Sequence, residues 1–163
     1  MHKVLLAVAA AVAVTTCPTA DASFGEYALN GTFIATSNGE WAKSNEVFHD
    51  EDSVRGTWTV SSTCTSASDC SGSASSDWGW TAPIYKTDGT WYVKRSVPAW
   101  MRCPDGTFVD GFQIYRFFPA GPDGSYRRVS DVFVGEDRTE GPSGACGKNM
   151  PLEIRLPFKL VRA

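Results

Sequence analysis

The sequence predicts an all-β domain, with about eight antiparallel strands arranged as an up-and-down barrel. Three observations point there. Apolar and polar residues alternate with period two through much of the chain, and helical periodicity is nearly missing. Turn pairs punctuate that alternation at Asn38-Gly39, Asp88-Gly89, Asp105-Gly106 and the run "GPDGS" at 121–125, each supplying positive-φ positions for tight reversals. A Gly-Thr-aromatic triplet recurs at 31–33, 56–58, 89–91 and 106–108. A turn glycine, a β-branched residue and a ring aimed at the core make successive strands start alike, as in a meander. Closing the meander into a barrel removes exposed strand edges. A two-sheet sandwich is the alternative, because short strands of this kind serve both architectures.

Residues 1–22 read as a signal peptide. Lys3 precedes an apolar run, 4–14, that is shorter than the roughly 20 residues needed to span a hydrocarbon core. Ala20-Asp21-Ala22 has the small-x-small pattern of a cleavage site, so the mature chain is expected to start at Ser23 and to form one domain, 23–163. Cys17 offers a second route, a lipid anchor, although Thr16 before it suits acylation poorly. No later stretch is apolar enough for a transmembrane segment after signal cleavage.

The strands follow in order. Runs at 31–37, 40–48, 56–63, 73–82, 90–97, 111–118, 125–134 and 152–160 carry the alternation. It is clearest in "LEIRLPFKL", where Leu152, Ile154, Leu156, Phe158 and Leu160 share a face. Pro157 in that run cannot donate to a ladder and belongs at an edge or bulge. In "TWYVKRSV", Trp91, Val93 and Val97 oppose Tyr92, Lys94 and Ser96. Connections are short except 135–151, which is glycine-rich and carries Cys146.

Four of the five cysteines follow the signal: Cys64, Cys70, Cys103 and Cys146. An even count in an exported chain reads as disulfides. The spacing of Cys64 and Cys70 is too wide for a zinc knuckle, and no C-x-x-C redox pair exists. Sequence alone leaves three pairings open; the one expected is Cys64–Cys70 with Cys103–Cys146, because each bond then closes a loop between or beside strands.

A net charge of −3 with scattered basic residues leaves no footprint for nucleic acid and no polybasic membrane patch. His49, the one histidine beyond the signal, lies in "FHDEDS" beside Asp50, Glu51 and Asp52. Those side chains can ligate a divalent cation, but the segment reads first as a solvated acidic loop, so no metal or cofactor is expected. With no Gly-x-Ser-x-Gly elbow, a hydrolase is the remote alternative. The tryptophans are the stronger signal. Trp78 and Trp80 flank a glycine and share a face if extended, which suits stacking on a sugar or lining an apolar pocket. Trp58 and Trp91, with Phe112 and Ile114, are the candidates for an interior site, since an eight-stranded barrel either fills with side chains or holds one small ligand. The expected function is a secreted, non-enzymatic protein of the cell envelope or extracellular space that binds a small apolar or lipid-like ligand. The alternative is a surface interaction protein whose loops contact a protein or glycan of the envelope or of a host surface.

With paired cysteines ahead of tryptophans, "CPDGT" at 103–107, "FPAGPDGS" at 118–125 and "ACG" at 145–147, the chain resembles a family of small secreted mycobacterial proteins. It is more faintly similar to the sensor-like ectodomains of actinobacterial membrane serine/threonine kinases. The shared residues, between 31 and 160, are cysteines, turn glycines and tryptophans. The resemblance implies export and pairing of the four cysteines. It carries over no functional residue.

Overall fold

A computed structural model of the chain describes residues 24–163; the expected signal peptide, its cleavage site and Cys17 lie outside them. The strands are β1 (Gly31–Ser37), β2 (Lys43–Ser44), β3 (Val47–Phe48), β4 (Val54–Cys64), β5 (Cys70–Ser76), β6 (Thr81–Thr87), β7 (Thr90–Arg102), β8 (Phe108–Pro119), β9 (Val132–Glu140) and β10 (Glu153–Arg162). β1 and β4 to β10 form a closed eight-stranded antiparallel barrel in which consecutive strands pair. β10 returns to β1, from Phe33 opposite Arg162 to Ser37 opposite Phe158. β2 and β3 are a small hairpin added to the start of β10. The up-and-down barrel is therefore the architecture, and the sandwich is not.

Period two decides what fills it. Phe33, Trp58 and Trp91, the rings of the first three Gly-Thr-aromatic triplets, are 0%, 2% and 1% exposed. They pack with Tyr115, Phe117, Phe133, Phe158, Ile84, Val93 and Leu160 in one core. Trp58 meets Tyr115 edge-on at 4.8 Å and Phe158 at 5.4 Å, so rings occupy the barrel axis itself. Aromatic pairs in such geometry add roughly 1 kcal/mol each beyond the area they bury. The fourth triplet differs. Phe108 is 59% exposed because β7 and β8 run on past the barrel as a two-stranded ribbon. β6 leaves β7 at Ile84 and Val93, whereas β8 follows β7 to Phe108 opposite Arg102.

Four sequence expectations need correction. Gln113, Tyr115 and Phe117 face inward, while Phe112 is exposed and Ile114 half-buried, the reverse of the expected phase. Apolar residues on both faces of that strand leave its phase undetermined; register settles it by setting Tyr115 against Val93 and Phe117 against Trp91. Phe117 finds room because its partner on β9 is Gly135, where an added Cβ would lie 1.9 Å from the Arg116 carbonyl oxygen. The run 40–48 is a 3-10 turn plus the β2–β3 hairpin, outside the barrel. The run 73–82 spans the end of β5, a turn and the start of β6, and 125–134 becomes strand only at Val132. Merging two barrel strands into one run was offset by counting a hairpin outside it.

The barrel has one closed end and one decorated end. At the closed end the segment 24–30 lies across the opening. The Leu29 amide donates to Ser62 Oγ at 2.8 Å, and that hydroxyl donates to the Leu29 carbonyl at 3.0 Å. Buried Lys86 donates to the Ala67 carbonyl at 2.9 Å, with its ammonium 5.4 Å from the Tyr27 ring and 5.8 Å from Trp91. Its burial lowers the ammonium pKa. Cys64–Cys70 closes the β4–β5 hairpin there. At the other end lie the β2–β3 hairpin, the turn 77–80, the β7–β8 ribbon and the loop 141–152, the last two joined by Cys103–Cys146.

Candidate functional site

The decorated end, hereafter the rim, gathers the polar and aromatic groups that the core leaves over. Its floor is a buried polar layer. Ser37 ends the inward face of β1, Gln113 follows Gly111 on that of β8, and Asp137 follows Phe133 and Gly135 on the inward face of β9. Ser37 Oγ donates to Asp137 Oδ2 at 2.7 Å, and Gln113 Nε2 donates to Asp137 Oδ1 at 2.7 Å. Gln113 Oε1 in turn accepts from Arg95 Nε at 2.7 Å. The guanidinium of Arg95 then lies 4.9 Å from the Trp80 ring, a cation–π contact at the edge of the layer. Among the described residues no buried side-chain polar atom is left without a hydrogen bond, so the layer holds the strands in register.

Burial pushes the Asp137 carboxyl up to about 6, against the two hydrogen bonds and the Arg95 charge, which pull it down. Burial also raises the Tyr115 hydroxyl beneath it, and the Asp137 charge adds to that rise. None of these residues was marked by sequence reading. The signal was present: carrying period two on from Phe33 and from Phe133 places Ser37 and Asp137 inside.

Above the floor stand the tryptophans. Trp78 is 65% exposed on its turn, with its indole Nε1 donating to the Arg55 carbonyl at 3.1 Å. The ring lies against Gly56, where a Cβ would sit 2.6 Å from indole atoms. Gly56 is thus a mid-strand seat for Trp78 rather than a turn residue. Trp80 is half-buried, edge-on to Trp58 at 5.0 Å and stacked on Tyr115 at 6.2 Å. Gly79 at φ +82° separates the two rings, so they do not share a face as an extended chain would make them. The pit between Trp78, Trp80, Trp58 and Tyr115 has a volume of about 30 Å³. That admits a water or two and no larger molecule. Trp58 and Trp91 are 2% and 1% exposed and belong to the core.

The rest of the rim is apolar at its tips. Trp41 and Phe48 are 63% and 67% exposed, and the Lys43 ammonium lies 5.0 Å from the Phe48 ring. Glu153 bridges Arg138 and Arg155, and Arg155 reaches Glu46 on the β2–β3 turn at 3.1 Å. His49 Nδ1 contacts Glu51 Oε1 at 3.0 Å, and Ser44 Oγ donates to the same oxygen at 3.0 Å. With the carboxylate between hydroxyl and imidazole, His49 is not placed to take a proton from Ser44. Among the described residues, no group of three His, Cys, Asp or Glu side chains converges as metal ligands would.

No protein-family model matches the chain, and no curated protein matches it. Among solved structures it is similar to the monomer form of the PknI sensor domain of M. tuberculosis, with a TM-score of 0.57 and 17% identity over 91% of this chain and 90% of that one. At that identity the likeness is one of fold. It agrees with the fainter of the two sequence resemblances, to kinase sensor domains, and does not bear on the motif-based one.

Proposed function

We propose that this chain is a non-catalytic recognition domain of the extracellular space or cell envelope, and that it binds its target with the rim and not with the barrel interior. The observation that carries this reading is the filled axis. Where a ligand-carrying barrel keeps a cavity, Trp58, Tyr115, Phe117 and Phe158 occupy the space. Large apolar side chains are instead offered outward at Trp41, Phe48 and Trp78, all at one end. Exposed aromatic groups on loops held by a rigid scaffold are the usual material of recognition surfaces. Two disulfides suit an oxidising compartment outside the cytoplasm. The likeness to a sensor domain supports ligand sensing as the class of role.

The test is binding of the fluorescently labelled protein to intact cells and to solubilised envelope of its own host. The double substitution W41S/W78S is expected to weaken that binding about tenfold or more while leaving far-UV circular dichroism unchanged. Unchanged binding by the variant, or a ligand extractable from the barrel interior, contradicts the reading.

A further inference from the structure

One part of the rim differs from the rest in charge. Between the tip of the β7–β8 ribbon and the loop 141–152 lies a groove of about 360 Å³, lined among others by Met101, Pro104, the Cys103–Cys146 disulfide, Met150 and Leu152. Two cations, Arg102 and Lys148, stand on its wall, and no carboxylate does. The chain has three methionines, and the two beyond the initiator both line this groove. We infer that the groove binds a single-chain carboxylate amphiphile, with the alkyl chain along the methionines and disulfide and the carboxylate held by Arg102 and Lys148. This rests on the reading of the rim as the binding surface and names the ligand of one part of it.

Three features carry the assignment. The first is charge. In a protein of net charge −3, a groove with cations and no acid is a local exception that favours an anion. Neither Arg102 nor Lys148 is in any ion pair among the described residues, so both are available to a ligand. The guanidinium also matches a carboxylate in bidentate geometry. The second feature is the lining. Thioethers are flexible and polarisable, so they adapt to an alkyl chain better than branched side chains do. The loop that supplies one wall is pinned to the ribbon through Cys146. The third is size. The volume lies at the small end of the range of about 300–1,000 Å³ typical of small-molecule sites, which fits one chain and not a two-chain lipid.

The probe is dodecanoate, titrated calorimetrically below its micellar concentration into the full domain with both disulfides formed. Dodecyl trimethylammonium and acetate serve as comparisons. Dodecanoate is expected to bind one site, at least about tenfold more tightly than either comparison, since each lacks the head charge or the chain. R102E/K148E is expected to weaken dodecanoate about tenfold or more. R102Q/K148Q keeps the test usable if reversed charge disturbs folding, and should weaken it in the same direction. Absent dodecanoate binding, equal binding of the trimethylammonium analogue, or indifference to both double variants overturns the inference. If those fail while W41S/W78S still weakens envelope binding, the rim reading stands and only the groove's ligand is wrong.

Discussion

Asp137 sits where one ionisable side chain joins three strands. Its carboxyl titrates near 6 in the folded protein against an ordinary 3.8, so the native state holds its proton more tightly than the unfolded chain. Between those two values folding takes up a proton. Stability therefore falls as pH rises through roughly 4 to 6 and is flat above, and the ionised carboxylate costs roughly 3 kcal/mol at neutral pH. Asn at this position keeps an acceptor for Gln113 and a polar partner for Ser37 without the charge. The stability of D137N relative to wild type, from urea titrations at several pH values, is expected to rise by 1–3 kcal/mol (roughly) from pH 4 to pH 7. A difference independent of pH would mean that Asp137 is less buried than this geometry has it.

At the scale of elements, the two disulfides play unequal parts. Cys64–Cys70 closes a hairpin with a sequence separation of 6, whereas Cys103–Cys146 spans 43 residues and joins the ribbon to a loop without strand pairing of its own. By loop-closure entropy the first contributes about 2 kcal/mol and the second about 4 kcal/mol. Removing the pair Cys103/Cys146 by serine substitution is thus expected to lower the urea midpoint more than removing Cys64/Cys70. Equal losses would contradict an entropic origin. That the four cysteines pair was legible in the chain from their even count, but three connectivities were open, and the strands that bring Cys64 to Cys70 and the ribbon to the loop 141–152 decide between them. The meander was legible too, since its glycines, turns and clear alternation in "LEIRLPFKL" all agree. The inward face of β8 was not, because "GFQIYRFF" is apolar on both faces and only its neighbours fix the phase. The turn at 77–80 was missed for another reason: serine and tryptophan lack a strong turn signature, and Gly79 alone marks the reversal. The groove could not be read at all, since Met101 and Met150 meet only through the long disulfide.

For the whole molecule, the barrel works as a rigid support with one end sealed and one end dressed. The sealed end is held by the clasp of Ser62 on Leu29 and by Lys86 under the Tyr27 ring. The dressed end carries the outward tryptophans, the β2–β3 hairpin, the ribbon and the cationic groove. A filled axis gives that end a firm base. The most direct test is hydrogen exchange with mass spectrometry, comparing the free domain with the domain saturated by solubilised host envelope. Recognition at the rim predicts slowed exchange confined to 38–53, 77–80, 98–110 and 141–152, with 24–30 and 120–131 unchanged. Protection centred on 24–30 and 120–131, or on inward positions of the barrel strands alone, would contradict it.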